Sequence, residues 1–334
     1  MSLEILSPGL LSTVQDLGRR GYQKEGIIVS GAMDAFALRT ANLLVGNLDK
    51  AAGIEITLMG PQIRFTADHL ISITGADLSP TVDGKPLKMW RPVRVPKGST
   101  LSFGKPVRGC RAYLAVAGSF ELPPVLGSLS TYLRAGLGGM AGRALQAGDV
   151  IPCQHPPEAS GLIFPELGKS ADTFKAATWS PDPALYAPQD EDPAVIRVIK
   201  GPEYELFSAK SREYLWGEKF QVTPQSDRMG YRLQGVKLRL AEEKELLSSA
   251  VSFGTVQVPA EGHPIVLMAD HQTTGGYPRI AQVISADFSS MAQLVPGKKI
   301  RFREVTLEEA HQLYFEQEQK IEQIKRAIEL KKWK

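Results

Sequence analysis

The sequence predicts a mainly β protein built on a duplicated β-fold, with a few helices and one long helix at the end of the chain. Three observations carry that prediction. The 334 residues include 31 glycines and 23 prolines, a density of chain breakers that suits short strands and turns better than a helical bundle. Short β-branched runs recur along the chain. Three pairs of segments also repeat in the same order in the two halves. Val29-Ser-Gly-Ala-Met33 is answered by Gln225-Ser-Asp-Arg-Met229, Leu70–Asp77 by Ile265–Asp270, and Val95–Phe103 by Val295–Phe302.

The strand-like runs are His69–Ile73, Val93–Val95, Thr100–Phe103, Arg111–Val116, Val195–Ile199, Val251–Val258, Ile265–Met268 and Ile300–Phe302. A first helix is expected over Ala35–Leu44, with Asp34 as its N-cap and Gly46 as its stop. A second is expected over Glu203–Leu215. The third runs from about Thr306 to Trp333, where Leu307, Ala310, Tyr314, Ile321, Ile324 and Ile328 form a seam that Gln317 interrupts. Between Gln154 and Asp192 the chain is proline-rich without periodicity, as a linker or surface strap would be. The expected organisation is a first domain over 1–153 with a glycine-rich loop, a linker over 154–194, a second domain over 195–303 and a terminal helix over 304–334.

Composition narrows the function classes. With 39 basic and 36 acidic residues the net charge is +3, without the basic excess of a nucleic-acid binder. Cys110 and Cys153 have neither disulfide-framework nor zinc-ribbon spacing, and no metal site is expected. Glu4 and Pro8 with no basic n-region argue against a secretory signal, and no apolar run reaches membrane-span length. These features point to a soluble, cytoplasmic protein.

There is no GxxxxGK[ST], GxSxG or HExxH, and Gly136–Ala141 lacks the strand and helix that a dinucleotide fingerprint requires. Four segments remain. Gln15–Tyr22 with Val29–Asp34 holds charges between glycine turns, which solvation alone would explain. Ser128–Thr131 leads into the glycine cluster Gly136–Gly142 and Arg143. Freed backbone N–H groups beside an arginine would suit an anion there, or the segment is a flexible loop. Pro224–Arg232 gathers Ser226, Asp227, Arg228 and Tyr231, groups able to hold a small polar substrate from several sides. Asp270–Pro278 follows an apolar strand and delivers Asp270, Gln272, Thr273, Thr274, Gly275, Gly276 and Tyr277 to one loop, a common site design. An ordinary Thr-capped turn is the plainer alternative, and His271 is expected to be an exposed loop histidine. The last two segments are expected to converge on one pocket, with Arg228 serving a substrate and not the core.

The strings QDLGRRGYQ, VSGAMD, ANLLVGN, ITGAD, RAYLAVAG, SDRMGYRL, GTVQVP and DHQTTGGYPRIA, in this order from residue 15 to about 290, resemble the allophanate hydrolase subunit 2 family. That family includes the carboxyltransferase domain of urea carboxylase, the free-standing C subunit of 5-oxoprolinase, and the regulator KipA. His271 departs from it, standing where arginine is common. The resemblance implies two cyclophilin-like β-barrel domains and chemistry on poorly reactive amides. In that setting Arg228, Tyr231, Gln272 and the Thr273–Gly276 backbone would supply donors, with Asp227 or Asp270 as base or orienter and Arg143 as a further substrate contact. A chain without carboxylase or biotin-carrier segments favours the C subunit of an ATP-dependent 5-oxoprolinase. It would then be active only in complex with a KipI-like B subunit and a LamB-type A subunit. The alternatives are a carboxyltransferase acting on urea or a related amide, with biotin on another chain, and a non-catalytic antagonist of a KipI-like kinase inhibitor.

Overall fold

The computed structural model describes residues 1–163, 167, 173–186 and 192–331. Parts of the expected linker and the last three residues of the expected helix lie outside these. The chain divides into two compact bodies: Met1–Arg19 with Asp34–Ala187 and Gln319–Lys334, and Arg20–Met33 with Pro188–Glu318.

In the first body the strands are β1 (Ser2–Ser7), β2 (Leu11–Gln15), β3 (Gly53–Thr57), β4 (Gln62–Phe65), β5 (His69–Asp77) and β6 (Thr81–Val82). They continue as β7 (Lys85–Pro86), β8 (Val93–Val95), β9 (Thr100–Ser102), β10 (Arg108–Val116), β11 (Val150–Pro152) and β12 (Lys175–Ala176). The helices are α1 (Ala35–Leu44) and α2 (Glu158–Ile163). Two six-stranded sheets form, in the orders β11-β1-β4-β9-β6-β7 and β12-β8-β5-β10-β3-β2. One core spans both: Leu3, Ile63, Phe65 and Leu101 from one sheet pack with Ile54, Ile73, Val93 and Leu114 from the other. The first expected barrel thus takes the form of two sheets around a common core.

Helix α1 has the bounds that its signals predict. The Asp34 carboxylate accepts the Ala37 N–H at 3.0 Å, and Gly46 at φ 80° ends the helix. Ser72 and Thr74 of β5 donate hydroxyls to the Ala41 and Ala37 carbonyls and tie α1 to the sheet. Part of the proline-rich stretch is packed: Leu167 and Ala177 are buried with Ala41, Val45 and Leu70.

In the second body, β13 (Ala194–Lys200), α3 (Ala209–Gly217), β14 (Phe220–Val222), β15 (Gly230–Gln234), β16 (Ser249–Ala250) and β17 (Thr255–Gln257) come first. They are followed by β18 (Ile265–Leu267), β19 (Thr274–Gly275), β20 (Arg279–Val283), α4 (Phe288–Ala292), β21 (Lys299–Glu304) and α5 (Leu307–Lys331), whose residues from Gln319 on belong to the first body. Seven strands close a barrel in the order β13-β20-β17-β18-β15-β14-β21, and a parallel pairing of β13 with β21 completes the ring. Closure leaves this sheet no open edge. Alternate residues point inward, so Ile196, Val198, Phe220, Tyr231, Leu233, Val256, Val266, Ile280, Ile300 and Phe302 fill the interior. Met33, from the segment Arg20–Met33, joins this core.

The repeated Val-Pro turns fold alike. Gly98 N–H donates to Phe65 O at 2.7 Å and Phe65 N–H to Ser99 O at 3.0 Å; Gly297 N–H donates to Val222 O at 2.8 Å and Val222 N–H to Lys298 O at 2.9 Å. Both glycines take positive φ, 88° and 93°.

Three expected elements differ. The helix expected from Glu203 begins at Ala209, because Phe207 is extended and Ser208 caps a new start by accepting the Ser211 N–H. The strand expected over Val251–Val258 is limited to Thr255–Gln257, because Gly254 turns the chain at φ 84°. On α5 the buried stripe runs through Ala310, Ile321, Ile324 and Ile328, while Leu307 and Tyr314 stay exposed. Half-buried Leu313 and Gln317 occupy the stripe in their place, at a spacing nearer 3.6 than 3.5.

Candidate functional site

The site is built at the end of β18 in the second body. Pairing of β15 with β18 continues past the ladder, with Met268 N–H donating to Met229 O at 3.0 Å and Asp270 N–H to Arg228 O at 2.8 Å. Ala269 is skipped in that register, and the kink aligns Arg228 with Asp270. Arg228 Nε donates to Asp270 Oδ2 and Nη2 to Oδ1, both at 2.9 Å, a bidentate pair with side chains only 5% and 6% exposed. Arg228 Nη2 also donates to the Gly31 carbonyl at 2.7 Å, and the Ser30 hydroxyl donates to Asp270 Oδ1 at 2.7 Å. Ser30 adopts φ 57°, a left-handed conformation costly for a serine, and this places its hydroxyl at the carboxylate.

The Val29–Met33 segment and the two polar loops are therefore one cluster, though about 200 residues of sequence separate the first from the others. Ser30 and Gly31 are the site residues that sequence reasoning missed. The VSGAM repeat marked the segment; nothing local marked its partner.

The two loops converge, but their residues divide into distinct roles. Arg228 is locked in a buried ion pair, which corrects the expectation that its guanidinium stands free for a substrate. Both oxygens of Asp270 are engaged, by Arg228 and Ser30. Tyr231 is 2% exposed inside the barrel core, with its hydroxyl near the Leu294 carbonyl at 3.4 Å, away from any surface. The next inward position on β15 after the Arg228 turn puts it there. Ser226 and Asp227 fold the turn itself. The Ser226 hydroxyl accepts the Arg232 N–H at 3.1 Å, and Asp227 Oδ1 accepts those of Met229 and Gly230 at 2.8 and 3.2 Å.

Past Asp270 the chain turns outward. His271 is buried, not exposed as expected; its Nδ1 lies 2.6 Å from the Gln272 carbonyl oxygen, and burial lowers its pKa. Gln272, Thr274, Gly276 and Tyr277 are exposed, Thr273 is half-buried and Gly275 is buried. Thr274–Gly275 pairs with Ser249–Ala250 as a two-stranded arm. Beside it an open depression of about 210 Å3 is lined by Ala250, Val251, Ser252, Thr255, Arg279 and Gln282. Arg279 is committed there to Glu203, with Nε–Oε2 at 2.7 Å and Nη2–Oε1 at 2.6 Å.

Arg143 belongs to the first body and is taken up by Asp149, with Nη1–Oδ2 at 2.8 Å and Nη2–Oδ1 at 2.7 Å. That ion pair holds the Asp149 carboxyl below its ordinary range. The neighbouring glycines serve the loop's own packing. A Cβ on Gly139 would lie 1.9 Å from Thr131 Oγ1, and one on Gly142 equally close to the Gly136 carbonyl. This turn does not fit a phosphate cradle, which corrects the anion-binding expectation. It meets the first polar segment instead: Asp16 accepts the hydroxyls of Ser128 and Ser130 at 2.7 and 2.5 Å and the Leu129 N–H at 2.7 Å. Arg19, 1% exposed, donates to the Ser130 carbonyl, so its charge is interior, while Asp16 is half-buried and Arg20 exposed.

Among the described residues no group of three His, Cys, Asp or Glu side chains could hold a metal ion, and no helix is long and apolar enough to cross a membrane.

Comparison with known proteins sets this geometry in a family. The chain is similar to the C subunit of 5-oxoprolinase from Escherichia coli, 42% identical over 94% of this chain and 97% of that protein. It is 40% identical to the 5-oxoprolinase C subunit of Haemophilus influenzae over 98% of this chain and 99% of that one. The crystal structure of the K. lactis urea amidolyase superposes with a TM-score of 0.87 at 31% identity; it covers 97% of this chain, which spans only 20% of that protein. The model of the carboxyltransferase domain, subdomain A and B, matches residues 25–304, and the chain belongs to that family.

Proposed function

We propose that the chain is the C subunit of an ATP-dependent 5-oxoprolinase, helping to open the 5-oxoproline lactam to L-glutamate within a complex of several subunits. The observation that carries this reading is similarity at 42% and 40% identity to two proteins named for that subunit, over 97% and 99% of their lengths. Opening the lactam breaks its C–N bond with addition of water, and negative charge develops on the carbonyl oxygen. Preorganised donors stabilise such charge. The site residues divide the work as follows. The Arg228–Asp270 pair, pinned by Ser30 and Gly31, is the rigid base on which the loop stands. The exposed Gln272 amide and the Thr273–Gly276 backbone are the groups that meet the substrate, with Thr274 and Tyr277 at its edge. Tyr231 and Asp227 take no part, and Arg143 holds its own turn. ATP supplies the driving force; we assign it to the assembled complex with a KipI-like B subunit and a LamB-type A subunit, because the glycine turn of this chain does not fit phosphate.

The test is ATP-dependent glutamate release from 5-oxoproline by the co-expressed complex, with and without this chain. Unchanged release when the chain is omitted refutes the proposal. A second reading, carboxyltransfer to urea or a related amide, is favoured by the family match and by the superposition on urea amidolyase. It requires biotin on another chain, so abolition of turnover by avidin would select it.

A further inference from the structure

His271, buried where the sequence predicts an exposed loop histidine, holds the first peptide group of the outward loop. Its backbone is fixed: the His271 N–H donates to the Met268 carbonyl at 3.1 Å, directly after the Asp270 N–H that donates to Arg228 O. Its ring is closed in, with the residue 8% exposed, and Nδ1 lies 2.6 Å from the Gln272 carbonyl oxygen. A bare nitrogen does not face a carbonyl oxygen at that distance, because both would present lone pairs. Nδ1 therefore carries a proton and donates it, whether the ring is neutral or charged. In the neutral ring Nε2 is then the bare nitrogen.

This bond sets the direction of one peptide plane. In a trans peptide the C=O and the N–H point to opposite sides. A Gln272 carbonyl turned onto a buried imidazole thus turns the Thr273 N–H the other way. The next plane is held as well, since the Thr273 carbonyl accepts the Val251 N–H at 3.1 Å. Between these two engaged carbonyls the Thr273 N–H has no hydrogen-bond partner among the described residues. Unpaired backbone N–H groups are almost never sealed from solvent. Thr273 itself is half-buried, between exposed Gln272 and exposed Thr274. A held, outward and unpaired N–H next to the Gln272 amide is the kind of donor that stabilises charge developing on a carbonyl oxygen.

We propose that His271 is a positioning residue of this site: by holding the Gln272 carbonyl, it presents the Thr273 N–H to the carbonyl oxygen of the substrate amide. His271 itself touches no substrate. The inference rests on the amide chemistry proposed above and assigns one of its donors together with the side chain that aims it.

The test compares variants of the full chain in the co-expressed complex. The side-chain amide of asparagine reaches the position of Nδ1, and that of glutamine the position of Nε2. His271→Asn should keep kcat for ATP-dependent glutamate release within about threefold of the wild type, while His271→Leu lowers it about 100-fold, the order of a displaced catalytic donor. KM should change little in either, because the bond gains strength only as charge develops on the oxygen. A purely structural role would lower Tm and leave kcat per folded molecule unchanged. Should His271→Leu fail to fold, His271→Gln takes its place and should be impaired to the same degree. Wild-type kcat in folded His271→Leu or His271→Gln overturns the proposal, as does loss of turnover in folded His271→Asn. A second measurement needs no turnover. In 15N NMR spectra of the chain alone, the His271 ring should show Nδ1 protonated at every pH at which the protein is folded, and a ring protonated on Nε2 alone overturns the proposal. The two proposals fail separately. Glutamate release unchanged by omission of the chain is the failure of the function. Release that needs the chain yet is indifferent to His271→Leu is the failure of the positioning role alone.

Discussion

Replacing Arg228 by alanine should unfold the second body well before it reveals anything about catalysis. The guanidinium makes two parallel bonds of 2.9 Å to Asp270 and one of 2.7 Å to the Gly31 carbonyl, from a side chain 5% exposed. Removing it leaves the Asp270 carboxylate buried with a charge that lacks its counterion. Breaking one side of such a pair costs about 3–5 kcal/mol. Against a total stability of roughly 5–15 kcal/mol this is a large fraction, and for a protein of this size it corresponds to a fall in Tm of roughly 10 °C. The cost is that of an unpaired charge, not of lost packing. The double variant Arg228→Met/Asp270→Leu should therefore be less destabilised than Arg228→Ala alone, by a coupling of about 1–3 kcal/mol. Urea unfolding followed by far-UV circular dichroism measures all three proteins on one scale. Should Arg228→Ala melt within about 2 °C of the wild type, the ion pair is not structural and the guanidinium serves a ligand after all.

Gln272→Ala should behave in the opposite way, because the side chain is exposed: Tm unchanged, and kcat of the reconstituted complex lowered about 100-fold, the cost of one oxyanion donor. Loss of stability without loss of turnover would reverse its assignment. His69 is buried against Phe65, and burial pushes its pKa from 6.5 down to about 4. The unfolded chain binds the proton more readily, so the stabilising effect is complete above about pH 6.5 and is lost as pH falls through 4. His69→Phe should flatten the stability–pH profile of the first body across that window, and an unchanged slope would show that other groups set it. Gly139→Ala, which would drive a methyl into Thr131 from a backbone at φ 51°, should cost at least about 1–3 kcal/mol in the same unfolding assay. Ile324→Ala on α5, where the side chain is 2% exposed, should cost about 2–5 kcal/mol; a loss below about 0.5 kcal/mol, the order of a surface change, would mean that the stripe carries no packing.

Whatever depends on neighbours in sequence was legible without a structure. The bounds of α1 follow from Asp34, the apolar spacing behind it and Gly46, because capping and helix termination are local hydrogen-bonding problems. The mainly β character follows from short alternating runs between turn residues, and the Val-Pro turns repeat because the same φ > 0 position is needed twice. Even the loops of the site could be picked out, since Ser226–Tyr231 and Asp270–Tyr277 hold more polar groups than a turn requires. The roles within those loops were not legible. Arg228 looks the same in sequence whether it faces solvent or a buried carboxylate, and its partners come from Ser30 and Gly31, which no local signal connects to it. Tyr231 lies one inward step along β15 from the turn, so a single residue of register separates a site phenol from a core phenol. The glycines of Gly136–Gly142 suggested an anion cradle, but the space they open is filled by their own loop. Burial, register and long-range pairing are properties of the folded ensemble of contacts, and only the tertiary structure decides which polar groups, like Arg228 and Asp270, spend their hydrogen bonds on the protein.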